Sequence, residues 1–147
     1  MKKTIIFDID GTLADLNGRE QFLHNGKKDW KNFNANMDKD LPNTPIVELY
    51  HTLYENQHYE IILVSGRQER FRKVTETWLT FHKIPFDTLL MRGDTDFRHD
   101  SEIKQDILKS LQAQGKEILF SVDDRQSVVD MWRANGITCL QCTNGDY

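Results

Sequence analysis

The stretch Thr4-Ile5-Ile6-Phe7-Asp8-Ile9-Asp10-Gly11-Thr12 decides the reading of this chain. An apolar run broken abruptly by two carboxylates and a glycine is the pattern of a buried strand, here Lys3 to Ile9, that ends in a functional loop. Gly11 permits a turn just past the strand, so both acids can face one reaction centre. An Asp-x-Asp-Gly motif also occurs at ordinary strand-to-turn junctions, so the remaining sequence has to discriminate.

The chain has 147 residues, 38% hydrophobic and 29% charged, the profile of one globular domain rather than a disordered segment. No apolar stretch approaches membrane-spanning length, and Asp8 interrupts the first apolar run too early for a signal-peptide core. A cytoplasmic protein with no membrane partner is expected. The net charge of −4 does not advertise nucleic-acid binding, which would need a local cluster of Arg and Lys. Cys139 and Cys142 are spaced like a redox or zinc pair, but on a strand residues three apart point to opposite faces, and no second Cys or His pair accompanies them. Buried thiols in a reducing cytoplasm are expected.

Further along, strands alternate with helices. A polar segment at about 14–43, with scattered Phe22, Trp30, Phe33 and Met37, reads as a partly helical flap or insert. Thr44-Pro45 marks a helix start with the Thr44 hydroxyl as N-cap. Tyr59 to Val64 is an apolar strand running into Ser65-Gly66-Arg67, and a helix follows from Phe71 to Leu79. Thr88 to Met91 is a short strand before the charged loop Arg92 to Asp100; Ser101 opens a helix that Gly115 ends. Ile118 to Val122 runs into Asp123-Asp124, a helix ends at Gly136, and Ile137 to Cys142 is the last strand. This alternation predicts a three-layer α/β domain with a parallel sheet covered on both faces.

Every polar cluster follows a strand: Asp8 and Asp10 the first, Ser65-Gly66-Arg67 the second, Arg92 the third, Asp123-Asp124 the fourth. The carboxyl ends of parallel strands line one crevice, where ligands bind. Converging acids repel unless a cation lies among them, and carboxylates without His or Cys favour Mg²⁺, which pairs with phosphate. Ser65, Arg67 and Lys104 would then supply donors for phosphate oxygens.

These motifs, in this order, resemble those of the haloacid dehalogenase (HAD) superfamily of phosphohydrolases: Asp8-Ile9-Asp10-Gly11-Thr12, Ser65-Gly66-Arg67, Lys104 and Asp123-Asp124. The chain is most similar to the phosphatase domain of phage-type polynucleotide kinase/3′-phosphatases. Asn17-Gly18-Arg19, Arg92-Gly93-Asp94-Thr95, Arg98-His99-Asp100, Asp123-Asp124-Arg125 and terminal Gly145-Asp146 carry that likeness; Lys27-Lys28-Asp29-Trp30 resembles stand-alone relatives.

The resemblance implies a Rossmann-like, HAD-like sheet of strand order 3-2-1-4-5 with a minimal cap. It implies Asp8 as nucleophile forming an aspartyl-phosphate, Asp10 as acid and then base, and Ser65 and Lys104 in the catalytic set. Mg²⁺ would be held by Asp8, Asp10 through its carbonyl, Asp123 and Asp124, with either of the last two as the direct ligand. Thr12, Arg19, Gly66, Arg67, Arg92 and Arg98, with possible help from Lys27-Lys28, would bind the substrate. That substrate is expected to be a phosphate ester, a nucleic-acid 3′ end or a nucleotide. No glycine-rich phosphate loop followed by Lys and Ser/Thr occurs, so kinase activity is not expected. No obligate protein partner is inferable. A small-metabolite phosphatase or nucleotidase remains the alternative. A phospho-receiver module would carry an acceptor Asp after its third strand, where Arg92 stands.

Overall fold

The computed structural model describes residues 1–16, 18–24 and 28–147. Alternation along β1 (Thr4–Phe7) divides the core into two halves. Ile5 and Phe7 face α2 (Thr44–Asn56) and α3 (Arg72–Phe81), packing with Tyr50, Trp78 and Leu79. Ile6 faces the other way, with Leu108 and Leu111 of α4 (Asp100–Ala113) and Val128 and Trp132 of α5 (Gln126–Ala134). Ile5, Ile6 and Phe7 are fully buried, and burying each contributes roughly 1.5–3 kcal/mol.

β1 lies at the centre of a five-stranded parallel sheet with β4 (Glu60–Gln68), β5 (Thr88–Arg92), β6 (Ile118–Arg125) and β7 (Cys139–Gly145). Counted along the whole chain, the order is β5-β4-β1-β6-β7; counted among the strands of this sheet alone, it reads 3-2-1-4-5. The counts differ because segment 14–43 contributes an unanticipated antiparallel pair, β2 (Ala14–Asp15) and β3 (Leu41–Pro42). That segment also holds two 3-10 turns and the short helix α1 (Trp30–Ala35). Leu16, Leu23 and Phe33 form its small core, with Phe22 and Tyr147 against it.

Local differences from expectation have local causes. β4 runs on through Ser65-Gly66-Arg67, and β6 on through Asp123-Asp124, because each continues to pair with its edge neighbour. The N-cap of α2 is Asn43 rather than Thr44, and the Asn43 side chain is drawn away to the Thr12 carbonyl, 2.9 Å. The N-cap of α4 is His99, whose Nδ1 accepts from the Ser101 amide. The two cysteines are free and lie toward opposite faces of β7, as the strand period requires; Cys139 is buried as expected, whereas Cys142, near the exposed end of the strand, is only half-buried. No helix among the described residues is long and apolar enough to cross a membrane.

Candidate active site

β1 and β6 are adjacent, and the Asp8 amide donates to the Val122 carbonyl, 3.1 Å, so their register sets Asp8 beside the end of β6. Lys104, one turn into α4, donates from Nζ to Asp8 Oδ1 (2.8 Å) and Asp123 Oδ2 (3.0 Å). Thr12 Oγ1 donates to the other Asp8 oxygen, 3.1 Å. Both Asp123 oxygens have donors: Trp132 Nε1 joins Lys104 on Oδ2, and the Asp124 amide reaches Oδ1. Asp124 Oδ2 accepts from the Tyr147 hydroxyl, 2.8 Å, whereas its Oδ1 is buried without a donor among the described residues.

One carboxylate oxygen from each of Asp8, Asp123 and Asp124 lies within 4.8 Å of the others. Burial, then the Asp123 charge, pushes the Asp8 carboxyl well above its ordinary range, and Lys104 offsets only part of this. Burial and Asp123 likewise push Asp124 up to about 6. Three buried acids against one buried lysine leave the cluster short of positive charge. A divalent cation with hard oxygen ligands fits that deficit, and the unsatisfied Asp124 Oδ1 gives it a ready ligand. Gly11 makes the arrangement possible: its φ is +79°, and a Cβ there would run into the Asp124 carboxylate.

Asp10 lines the same cavity as Asp8 but keeps different company. Arg67 donates Nε to Oδ2 (2.9 Å) and Nη2 to Oδ1 (2.7 Å), and Arg19 Nη2 donates to Oδ1, 2.7 Å. Burial would raise this carboxyl, but Arg67 and then Arg19 outweigh it and hold Asp10 well below the usual carboxylate range. Its side chain therefore belongs to an arginine cage and not to the three-acid cluster, so only its main chain is left for the metal role expected of it.

The arginines expected to meet substrate are largely engaged within the protein. Arg19 is buried, pairing also with Asp40 (2.6 Å) and the Phe33 carbonyl (2.6 Å), and it does not line the cavity. Arg67 donates Nη1 to Thr75 as well. Arg92 bonds the Gly66, Asp96 and Arg98 carbonyls and pairs with Asp100. Arg98 reaches the cavity rim but pairs with Asp96 and Asp106, both at 2.8 Å. Thr12 is fully buried under Asp8, where it orients the carboxylate rather than facing the opening. Ser65 is buried too, its Oγ accepting from the Arg67 amide, 3.1 Å. Gly66 lines the cavity, and a Cβ there would collide with the Asp100 carboxylate. Asn17 and Lys27 lie outside the described residues.

Three participants were not assigned from the sequence. Asp100 accepts from both Arg92 and Arg125 and lines the cavity. Its position four residues before Lys104, one helical turn on the same face, was a usable signal. Arg125 follows the paired acids directly. Tyr147 reaches Asp124 from the last residue of the chain, and nothing local in the sequence marks it. The cavity over these groups is open, about 770 Å³, and α1 supplies part of its wall.

Residues 2–147 match the family model described as the polynucleotide kinase PNKP phosphatase domain. A chain in the Pnkp1/Rnl/Hen1 RNA repair complex is 37% identical with a TM-score of 0.83, over 100% of this chain and 44% of that one. A second Pnkp1/Rnl/Hen1 complex gives 39% and 0.83, over 100% and 48%. The chain thus spans less than half the length of these relatives. A haloacid dehalogenase-like hydrolase from Streptococcus pneumoniae, 14% identical with a TM-score of 0.64 over 95% and 84%, shares the fold.

Proposed function

The chain belongs to the polynucleotide kinase PNKP phosphatase-domain family, and from that premise we propose that it removes 3′-terminal phosphates from nucleic acid through an aspartyl-phosphate on Asp8. Phosphomonoester hydrolysis is the chemistry of this HAD-type family. The observation that carries the finer reading is the buried Asp8–Lys104–Asp123–Asp124 cluster at the floor of an open cavity.

Lys104 on one Asp8 oxygen and Thr12 on the other fix the carboxylate in the plane from which it attacks phosphorus. The bond from phosphorus to the 3′ oxygen breaks, and the leaving alkoxide takes a proton from Asp10. Asp10 then removes a proton from water, which attacks the aspartyl-phosphate, regenerating Asp8 and releasing inorganic phosphate. The arginine cage keeps Asp10 ionised, which suits the base half of this cycle. For its acid half, Asp10 must first take up a proton from solvent, which requires one guanidinium pair to loosen, and then passes that proton to the leaving oxygen. The Gly66 backbone edge, which lines the cavity, would hold phosphoryl oxygens, and Ser65, buried behind it, would support that edge through its bond with the Arg67 amide.

Asp8 and Asp124 would hold Mg²⁺ directly, with the Asp10 carbonyl. Asp123, which carries three donors across its two oxygens, would orient Lys104 and the Asp124 amide. Mg²⁺ there supplies neutralisation of the phosphoryl charge against which the anionic Asp8 must move.

The test compares a 3′-phosphorylated oligonucleotide with a nucleoside 3′-monophosphate in Mg²⁺. A higher kcat/KM on the oligonucleotide, by about tenfold or more, is expected; equal values would hand the site to small-metabolite phosphatases. RNA and DNA ends belong in the same assay, since a Pnkp1 relative comes from an RNA repair complex. That relative assembles with Rnl and Hen1, so a protein partner for this chain is a reasonable object of a pull-down.

A further inference from the structure

Of the large apolar side chains left in water, Trp30 (42% exposed) and Phe97 (80% exposed) line the cavity above Asp8, whereas Leu49, Phe81 and Leu140 do not. The two come from separate parts of the chain. Trp30 opens α1 in the 14–43 segment, and Phe97 sits in the loop between β5 and α4. The Trp30 ring is braced edge-on against Phe33, with centroids 5.5 Å apart at 87°. Phe33 is anchored in turn by Arg19, which bonds its carbonyl and lies 4.3 Å over its ring. Cations accompany the indole: the Arg125 guanidinium is 5.8 Å from its centre and the Lys28 ammonium 6.0 Å.

An exposed ring on a rigid brace, flanked by cations and opening onto a phosphate-cleaving centre, matches the two halves of a nucleotide. Every nucleobase offers a π-face, and aromatic side chains beside basic groups stack on it without regard to sequence. A sugar phosphate has no planar π-face to lay against these rings. With the 3′ phosphate at Asp8, the terminal sugar and base are the first groups to extend outward along the same cavity, whose volume suits a ligand of that size. Resting on the phosphatase reading above, we propose that Trp30 and Phe97 form an aromatic mouth that stacks on the base of the nucleotide bearing the phosphate. The mouth selects nucleic-acid ends by their terminal base and is indifferent to which base it is.

Two matched oligonucleotides test this, identical except that one lacks the base on its 3′-phosphorylated residue. The native protein should favour the complete one in kcat/KM by about fivefold or more, the lower end of what base–aromatic stacking supplies. Trp30→Ala should bring the ratio close to one. Phe97→Ala, on an exposed loop where folding is not at stake, should lower it in the same direction. Because the ratio is internal, a general loss of activity in either variant cancels. A ratio near one in the native protein, or one unchanged in both variants, overturns the proposal.

Fluorescence separates this from the function beneath it. Trp78 and Trp132 are buried, so quenching on titration of the metal-free protein reports chiefly on Trp30. The complete oligonucleotide should quench it, the abasic one much less, and Trp30→Phe should abolish the difference. Equal quenching by the two oligonucleotides overturns the stacking mouth. Selective quenching with no turnover of either oligonucleotide would keep the mouth and remove the phosphatase reading.

Discussion

The floor of the cavity and the segment beside it hold their charges by different means. On the floor, Asp8, Lys104 and Asp123 come from just past β1, from α4 and from β6, with Asp8 and Lys104 96 residues apart, and the large sheet core fixes their register. Segment 14–43 rests on a core of Leu16, Leu23 and Phe33, and the Arg19 bridge between Asp40 and Asp10 is one of its ties to the cavity. Buried like charges are tolerable only where the scaffold cannot relax away from them. The catalysis proposed above would therefore sit on the sheet, and the proposed stacking mouth would draw Trp30 from the lightly built segment and Phe97 from the loop between β5 and α4.

The comparison breaks most visibly at Asp8. Asp8→Asn should lower turnover on the order of 10⁴-fold or more. The folded state should not suffer, because burial and Asp123 already disfavour the ionised form of this side chain. A metal-free melting midpoint at or above that of the native protein is expected, and a large drop would show that Lys104 needs the Asp8 charge. Tyr147→Phe sharpens the same half. It removes the hydroxyl donor from Asp124, and titration calorimetry should show Mg²⁺ affinity weakened by about 10-fold, the scale of losing a group that orients a metal ligand.

Phe33→Ala probes the other half. Large-to-small changes in a core typically cost ~3–5 kcal/mol, but here the loss should stay within segment 14–43 because its core is separate. Limited proteolysis should then cut inside 14–43 while the main thermal transition moves by only a few degrees. Turnover should fall several-fold as Arg19 loses its seat beside Asp10; a collapse of the whole fold would show that the two regions unfold as one.

The smallest effect concerns pH. Asp124 is raised to about 6, and Asp8 is raised as well, by burial and mutual repulsion. Groups raised in the folded state contribute stability below their unfolded pKa that is lost as pH rises through the folded value. The metal-free protein should thus be modestly more resistant to urea at about pH 5 than at about pH 7.5, and Mg²⁺ should close the gap. Asp10 and Asp100 act in the opposite sense but titrate below that window, whereas His99, lowered by burial and then by Arg125, opposes the trend within it, which keeps the net change small. A stability that rises steadily from pH 5 to about 7.5 without metal would count against the crowded cluster.

Much of the floor was legible in advance because its residues follow strands. In a parallel sheet, sequence position at a strand's carboxyl end becomes spatial position in the crevice, so Asp8, Arg67, Asp123 and Asp124 could be gathered from periodicity and order alone. Arginine roles were not legible in that way. A guanidinium reaches far and pairs with whichever carboxylate the fold brings near, so Arg19, Arg67 and Arg92 look alike in sequence whether they meet phosphate or Asp10 and Asp100.

By itself the sequence determined the layered α/β class, the strand-end placement of the acids and the family of chemistry they support, because period and order are local properties. Tertiary structure alone decided that Asp10 is caged by Arg19 and Arg67, that Tyr147 bonds Asp124, and that Trp30 and Phe97 line one cavity. Each of those is a meeting of side chains distant along the chain, and such meetings are set by packing and charge compensation, for which no short stretch carries a signal.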